Sequence, residues 1–122
     1  MRVEISESAH SDVLDGYWFY NRQEPGLGEY FSDTLYGEMA SLRLYAGIHP
    51  KRYGFHMMLS RVFPYSVYYD IEGGVAKVYA VIDNRRDPDW VRMHISNVRR
   101  RQKMSKFCAS PVRFSGGGRI SQ

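Results

Sequence analysis

The chain has 122 residues, a length that fits one domain with one modest core. With 43% hydrophobic and 15% aromatic residues a packed interior is within reach, while the one cysteine, Cys108, excludes an internal disulfide and any cysteine-rich metal site. No apolar run approaches the ~20 residues that span a bilayer, and the N-terminus has no basic-then-apolar signal pattern. A cytoplasmic protein is the expectation. The net charge of +4 is unevenly spread: from Ser96 onward there are seven basic residues and no acid, leaving ten basic against thirteen acidic residues in the first 95, a net of −3. The basic character therefore belongs to the C-terminal segment rather than to the domain.

In chain order, residues 2–6 alternate and predict a short strand carrying Val3 and Ile5 on one face. Ser6-Glu7-Ser8 supplies an N-cap and a first-turn acid. Ala9, Val13, Tyr17 and Tyr20 then follow at helical spacing, and Glu24-Pro25-Gly26 breaks that helix. Leu27, Phe31, Leu35, Met39 and Leu42 form the stripe of a second helix over 27–46, stopped by Gly47 and Pro50. A break this short predicts an antiparallel helical hairpin. Residues 53–59, 65–71 and 75–83 read as three strands, the last two joined at Glu72-Gly73-Gly74. Simple alternation puts Ala76, Val78, Ala80 and Ile82 on the core face. Asp87-Pro88-Asp89 begins a final helix that holds Trp90, Val91 and Ile95.

The expected fold class is α+β: a four-stranded antiparallel-type sheet with an α-helical hairpin on one face, in the order β-α-α-β-β-β-α. A hairpin covers only one face of such a sheet. The opposite face, extrapolated to His56, Met58, Ser66, Tyr68, Lys77, Tyr79 and Val81, is expected to be open, with Met58, Tyr68, Tyr79 and Val81 as an apolar patch. The domain is expected over 1–95, followed over 96–122 by a basic, flexible tail rich in Ser, Gly and Arg.

Four segments occur in register: Pro25-Gly26-Leu27-Gly28 with Phe31; Phe63-Pro64-Tyr65 with Val67-Tyr68-Tyr69; Val78-Tyr79-Ala80-Val81-Ile82; and Arg85-Arg86-Asp87-Pro88 with Trp90. Together they resemble the RelE/ParE toxin superfamily, on the branch called plasmid stabilisation proteins. The resemblance implies the toxin of a bacterial type II toxin–antitoxin system, with a cognate antitoxin as partner and no cofactor. It also implies one of two activities: ribosome-dependent cleavage of messenger RNA, or inhibition of DNA gyrase by binding. Under the first, a metal-independent endoribonuclease, Arg61, Arg85 and Arg86 are the candidate catalytic residues, since phosphate charge needs cations. Many related sequences have His where Asp83 stands, and no other general acid–base pair is evident. That absence and the acidic domain favour the binding mode, with Met58, Tyr68, Tyr79 and Val81 as the antitoxin-binding residues. His10, His49, His56 and His94 lack metal-ligand spacing.

Overall fold

The computed structural model describes residues 1–104, with side chains as far as Arg100. Strand β1 (Arg2–Ile5) leads into helix α1 (Glu7–Gln23), α2 (Leu27–Ala40) and the single turn α3 (Leu42–Tyr45). Strands β2 (Lys51–Arg52), β3 (Phe55–Leu59), β4 (Tyr65–Glu72) and β5 (Val75–Asp83) follow, then helix α4 (Pro88–Met104). The sheet has the order β1-β5-β4-β3-β2, with β1 parallel to β5 and the other neighbours antiparallel.

The sheet is thus five-stranded and mixed, not four-stranded and antiparallel. The extra strand arises at Tyr53-Gly54, where both residues take left-handed backbone angles (φ 57° and 85°) and close a two-residue hairpin between β2 and β3. Tyrosine is an uncommon residue for that turn, so the sequence reads there as the start of a strand.

Local chemistry sets the helical hairpin. The Ser6 hydroxyl accepts from the Ala9 N–H at 3.0 Å and caps α1. At the other end the Asn21 side-chain oxygen accepts from the Gly26 N–H at 3.0 Å and ties the turn to α1. The expected long second helix is broken at Ser41, whose hydroxyl donates to the Glu38 carbonyl at 2.6 Å. The helices cross at two glycines: a Cβ on Gly16 would fall 2.4 Å from the Phe31 ring, and one on Gly28 would fall 2.5 Å from the Tyr17 carbonyl oxygen.

Two cores result, one on each sheet face. Phe31, Leu35, Met39 and Leu42 from the hairpin pack with Val3 and Ile5 and with Met58, Val67, Tyr69, Ala76, Val78 and Val81 of the sheet. On the opposite face Phe55, Tyr68, Tyr79, Ala80 and Ile82 pack with Val91, Ile95 and Val98 of α4. The face expected to be open is covered by the chain's own last helix. Alternation misassigned β5 because of a bulge: Tyr68 pairs with Ala80 but Tyr69 pairs with Val78, so Tyr79 is an extra residue. Beyond it the parity inverts, and Ala80 and Ile82 turn to α4 while Val81 turns to the hairpin. In β3 the phase is also reversed, since Met58 lies opposite Val67 and shares its face. Helix α4 continues past Ile95, so the domain end drawn at residue 95 falls inside it, and Val98 is only 1% exposed. The expectation of a flexible tail lies, for 105–122, outside the described residues.

Candidate functional site

Strand β1 is short and pairs with β5 only from Val75 to Val78. Among the described residues the remainder of β5 has no strand on that side, and a cleft of about 650 Å³ opens between it, α1 and the start of α4. Part of the missing ladder is replaced by a side chain: the Val81 N–H donates to the Asp12 carboxylate of α1 at 2.9 Å. Asp12 is therefore a structural acceptor, not a solvated surface acid. Around it stand Asp15, Trp18, Phe19 and Arg22 of α1, Tyr65 of β4, Asp83, Arg86, and Trp90 and His94 of α4.

The charges of this cleft are largely matched from within. Asp83 holds Arg85 through its Nε at 2.9 Å and its Nη2 at 2.8 Å, and also accepts from the Arg85 backbone N–H at 2.9 Å. Burial acts to raise the Asp83 carboxyl, but the Arg85 hydrogen bonds and the Arg85 and Arg86 charges outweigh it and hold the group below the ordinary carboxylate range. The Tyr65 hydroxyl is pushed up to about 12, first by burial and then by the Asp83 charge, so it stays protonated at neutral pH. The Arg86 guanidinium lies 4.2 Å from the Trp90 ring centre, and Trp90 stacks on His94 at 4.7 Å with planes 8° apart. Three aromatic rings remain open to solvent: Trp18 is 50% exposed, and Phe19 and Trp90 are each 39% exposed.

The candidate catalytic arginines do not converge. Arg86 lines the cleft and Arg85 sits at its edge, clamped to Asp83. Arg61 lies apart from the cleft lining, on the loop between β3 and β4, where its backbone N–H donates to Glu38 of α2 at 2.9 Å. The four residues expected to form an exposed docking patch are all buried: Met58 and Val81 beneath the hairpin, Tyr68 and Tyr79 beneath α4. They do not share a face: the register of β3 sets Met58 opposite Val67, the bulge at Tyr79 turns Val81 to the hairpin, and α4 covers Tyr68 and Tyr79. Trp90, on the final helix, is 39% exposed and contacts Arg86 and His94. Trp18, Phe19 and Arg22 were missed by sequence reasoning. The available signal was a pair of large aromatics adjacent to each other on α1, neither of which belongs to the apolar stripe of Ala9, Val13, Tyr17 and Tyr20.

A second titratable cluster lies at the other end of the sheet. The Tyr69 hydroxyl accepts from the Gly47 N–H at 2.9 Å and bonds the Nδ1 of His49 at 2.6 Å. In the neutral tautomer that leaves Nδ1 unprotonated, the Tyr69 hydroxyl donates this hydrogen bond to His49. Burial, then the neighbouring His56, lowers the His49 pKa in keeping with that neutral form. The His56 ring stacks on Tyr69, and its Nδ1–H donates to the His49 carbonyl at 2.8 Å. His56 is a packed residue, not an open-face base. Among the described residues no three His, Cys, Asp or Glu side chains gather as a metal site.

Neither a family model nor a curated protein matches the chain. Among solved structures it is similar to a chain of the chromosomal ParDE TA system from P. aeruginosa, with 15% identity and a TM-score of 0.63, over 68% of this chain and 95% of that one. The chain shares the fold of that ParDE chain. Strand β1, the helical hairpin, the antiparallel meander and the closing helix α4 are the parts of that fold described above. No helix among the described residues is long and apolar enough to cross a membrane.

Proposed function

We propose that this RelE/ParE-fold chain is the toxin of a bacterial type II toxin–antitoxin pair, acting in the cytoplasm by contact with its target and neutralised by a cognate antitoxin. The observation that carries this reading is the fold shared with the ParDE chain across 95% of that chain's length, joined to the four sequence motifs in register. A fold alone does not fix an activity, so the mode of action is argued from the cleft. Metal-free RNA cleavage needs cations at the phosphate and an acid–base pair at the reacting oxygens. Here Arg85 is taken up by Asp83, Arg86 lies on Trp90, and Arg61 stands apart. Exposed Trp18, Phe19 and Trp90 beside Arg22 and Arg86 instead have the composition of a protein-binding hot spot. DNA gyrase, the target of the ParE-like branch, is the target this reading favours, with the cleft as the contact surface.

The test adds purified protein, freed of antitoxin, to a gyrase supercoiling reaction and to a cell-free translation reaction. Supercoiling is expected to stop while message stays intact. The double variant Trp18→Ala/Trp90→Ala should weaken inhibition by at least about 30-fold, the effect of losing one hot-spot contact of ~2 kcal/mol. Defined cuts in the message, abolished by Arg61→Ala in a folded protein, would make the chain a ribonuclease and overturn contact inhibition. Activity in neither reaction would overturn gyrase as the target.

A further inference from the structure

We propose that the cleft takes an extended, unfolded segment of the target protein, which joins the sheet as an extra strand along β5 where β1 has ended. The inference rests on the contact-inhibitor reading above and adds how contact is made. The floor of the cleft is a strand edge. Val81 lies opposite Val67 of β4, yet its N–H points the other way and donates to Asp12 at 2.9 Å. In a strand the N–H and C=O of one residue point to the same side, and every second residue repeats that direction. The Val81 carbonyl and the Asp83 N–H therefore also face the cleft. The Asp83 carbonyl is already used, by the Arg86 N–H at 3.1 Å. Nearer β1, the Val78 carbonyl accepts from the Ser6 N–H at 3.0 Å and the Tyr79 carbonyl from the Ser6 hydroxyl at 3.3 Å. Asp12 thus supplies one bond of a ladder that otherwise stops, among the described residues, at Ser6.

The walls decide what can occupy this edge. Helix α1 belongs to the core on one sheet face and α4 to the core on the other, so the edge lies in the gap between two helices. Trp18 and Phe19 stand on one side of it and Trp90 on the other. Paired strands lie about 4.8 Å apart. The edge of a second folded sheet, a second copy of this chain included, would drive its own covering layers against α1 and α4 before reaching that distance. A lone extended chain meets no such obstacle, and its side chains, alternating above and below, reach both walls. Those walls carry exposed rings, so the matching side chains are apolar or aromatic. A strand residue takes up roughly 160 Å³, from the rise and the spacings of sheets, so the cleft has room for about four of them.

The probe is a set of short peptides selected from a random library on the full chain and counter-selected on Trp18→Ala/Trp90→Ala, with no gyrase present. The selected sequences should alternate, with apolar residues set to meet both walls. Methylating backbone nitrogens at every second residue should weaken binding about 5-fold per methyl in one phase and leave the other phase nearly unchanged. With peptide bound, the Asp83 amide should exchange at least about 10-fold more slowly. Asp12→Ala should bind the same peptide about 5-fold more tightly, since the Val81 N–H no longer has to be drawn from the carboxylate; the methyl scan and the exchange measurement need no altered chain. Failure to select any peptide, binding indifferent to methylation, or an unprotected Asp83 amide would overturn strand addition. Self-association of Asp12→Ala with a protected Asp83 amide would overturn the choice of occupant and give the edge to a second copy of this chain. With gyrase as the ligand the two readings separate. Blocked supercoiling with an unprotected Asp83 amide overturns strand addition and leaves contact inhibition standing, whereas peptide binding as described with no effect on gyrase removes that target and keeps the strand site.

Discussion

Replacing Gly28 by alanine should separate the two helices on which the first core rests. The added Cβ would lie 2.5 Å from the Tyr17 carbonyl oxygen, 2.8 Å from the Asn21 Cβ and 3.0 Å from the Tyr17 ring, whereas ordinary contact begins near 3.4 Å. A side chain can swing away from a new methyl, but the Tyr17 oxygen belongs to the backbone of α1. The hairpin must therefore open by close to 1 Å, and Phe31 and Leu35 move with it. Overpacking of this kind costs about 1–3 kcal/mol, and three simultaneous contacts put Gly28→Ala at the upper end. The helix propensity gained by alanine offsets at most about 1 kcal/mol, and less here because Gly28 lies in the first turn of α2. A net loss of ~2 kcal/mol lowers the melting temperature of a domain this size by roughly 8–15 °C. Gly37 is the control on the same helix: a Cβ there meets nothing within 4 Å. Gly37→Ala should raise stability by about 0.5–1 kcal/mol through propensity and a less flexible unfolded chain. Thermal melts followed by circular dichroism read both. Equal effects of the two substitutions, or a stabilising Gly28→Ala, would refute the close helix crossing.

Two further outcomes test other parts of the fold. Val98→Ala should cost about 1–3 kcal/mol in urea unfolding, because Val98 is packed on the sheet's second face; a loss below about 0.5 kcal/mol, the level of an exposed site, would mean that α4 does not close that core past Ile95. Stability should also fall on mild acidification. His10 and His49 both have lowered pKa values, each chiefly through burial. The folded state therefore binds fewer protons than the unfolded one: their contribution is complete above the unfolded value of 6.5 and is lost as pH falls below it. The urea midpoint should drop between pH 7.5 and pH 5.5, and His10→Gln/His49→Gln should flatten that drop. The same decline in the double variant would place its origin elsewhere.

Much of this protein is determined locally and could be read from the chain alone. Ser6 caps α1, Pro25-Gly26 breaks the helices apart, Gly73 and Gly74 close the β4–β5 hairpin, and Pro88 opens α4. Each acts through the dihedral angles or hydrogen bonds of its immediate neighbours, which is why residue types at fixed spacing were enough. The order of elements and the four motifs that point to the fold follow from the same local signals. Partnership between distant segments was decided only by tertiary structure. The parallel pairing of β1 with β5 joins residues more than seventy positions apart. The bulge at Tyr79 inverts which side chains of β5 face which core, and no alternation rule registers one extra residue whose effect depends on the opposing strand. Burial of Tyr68 and Tyr79 depends on α4 folding back over them, and the cleft exists because β1 stops short of Val81 and leaves Asp12, Trp18, Arg86 and Trp90 around the gap. Sequence patterns encode what each segment prefers, while a surface becomes a site only when segments far apart in the chain settle which faces remain in water.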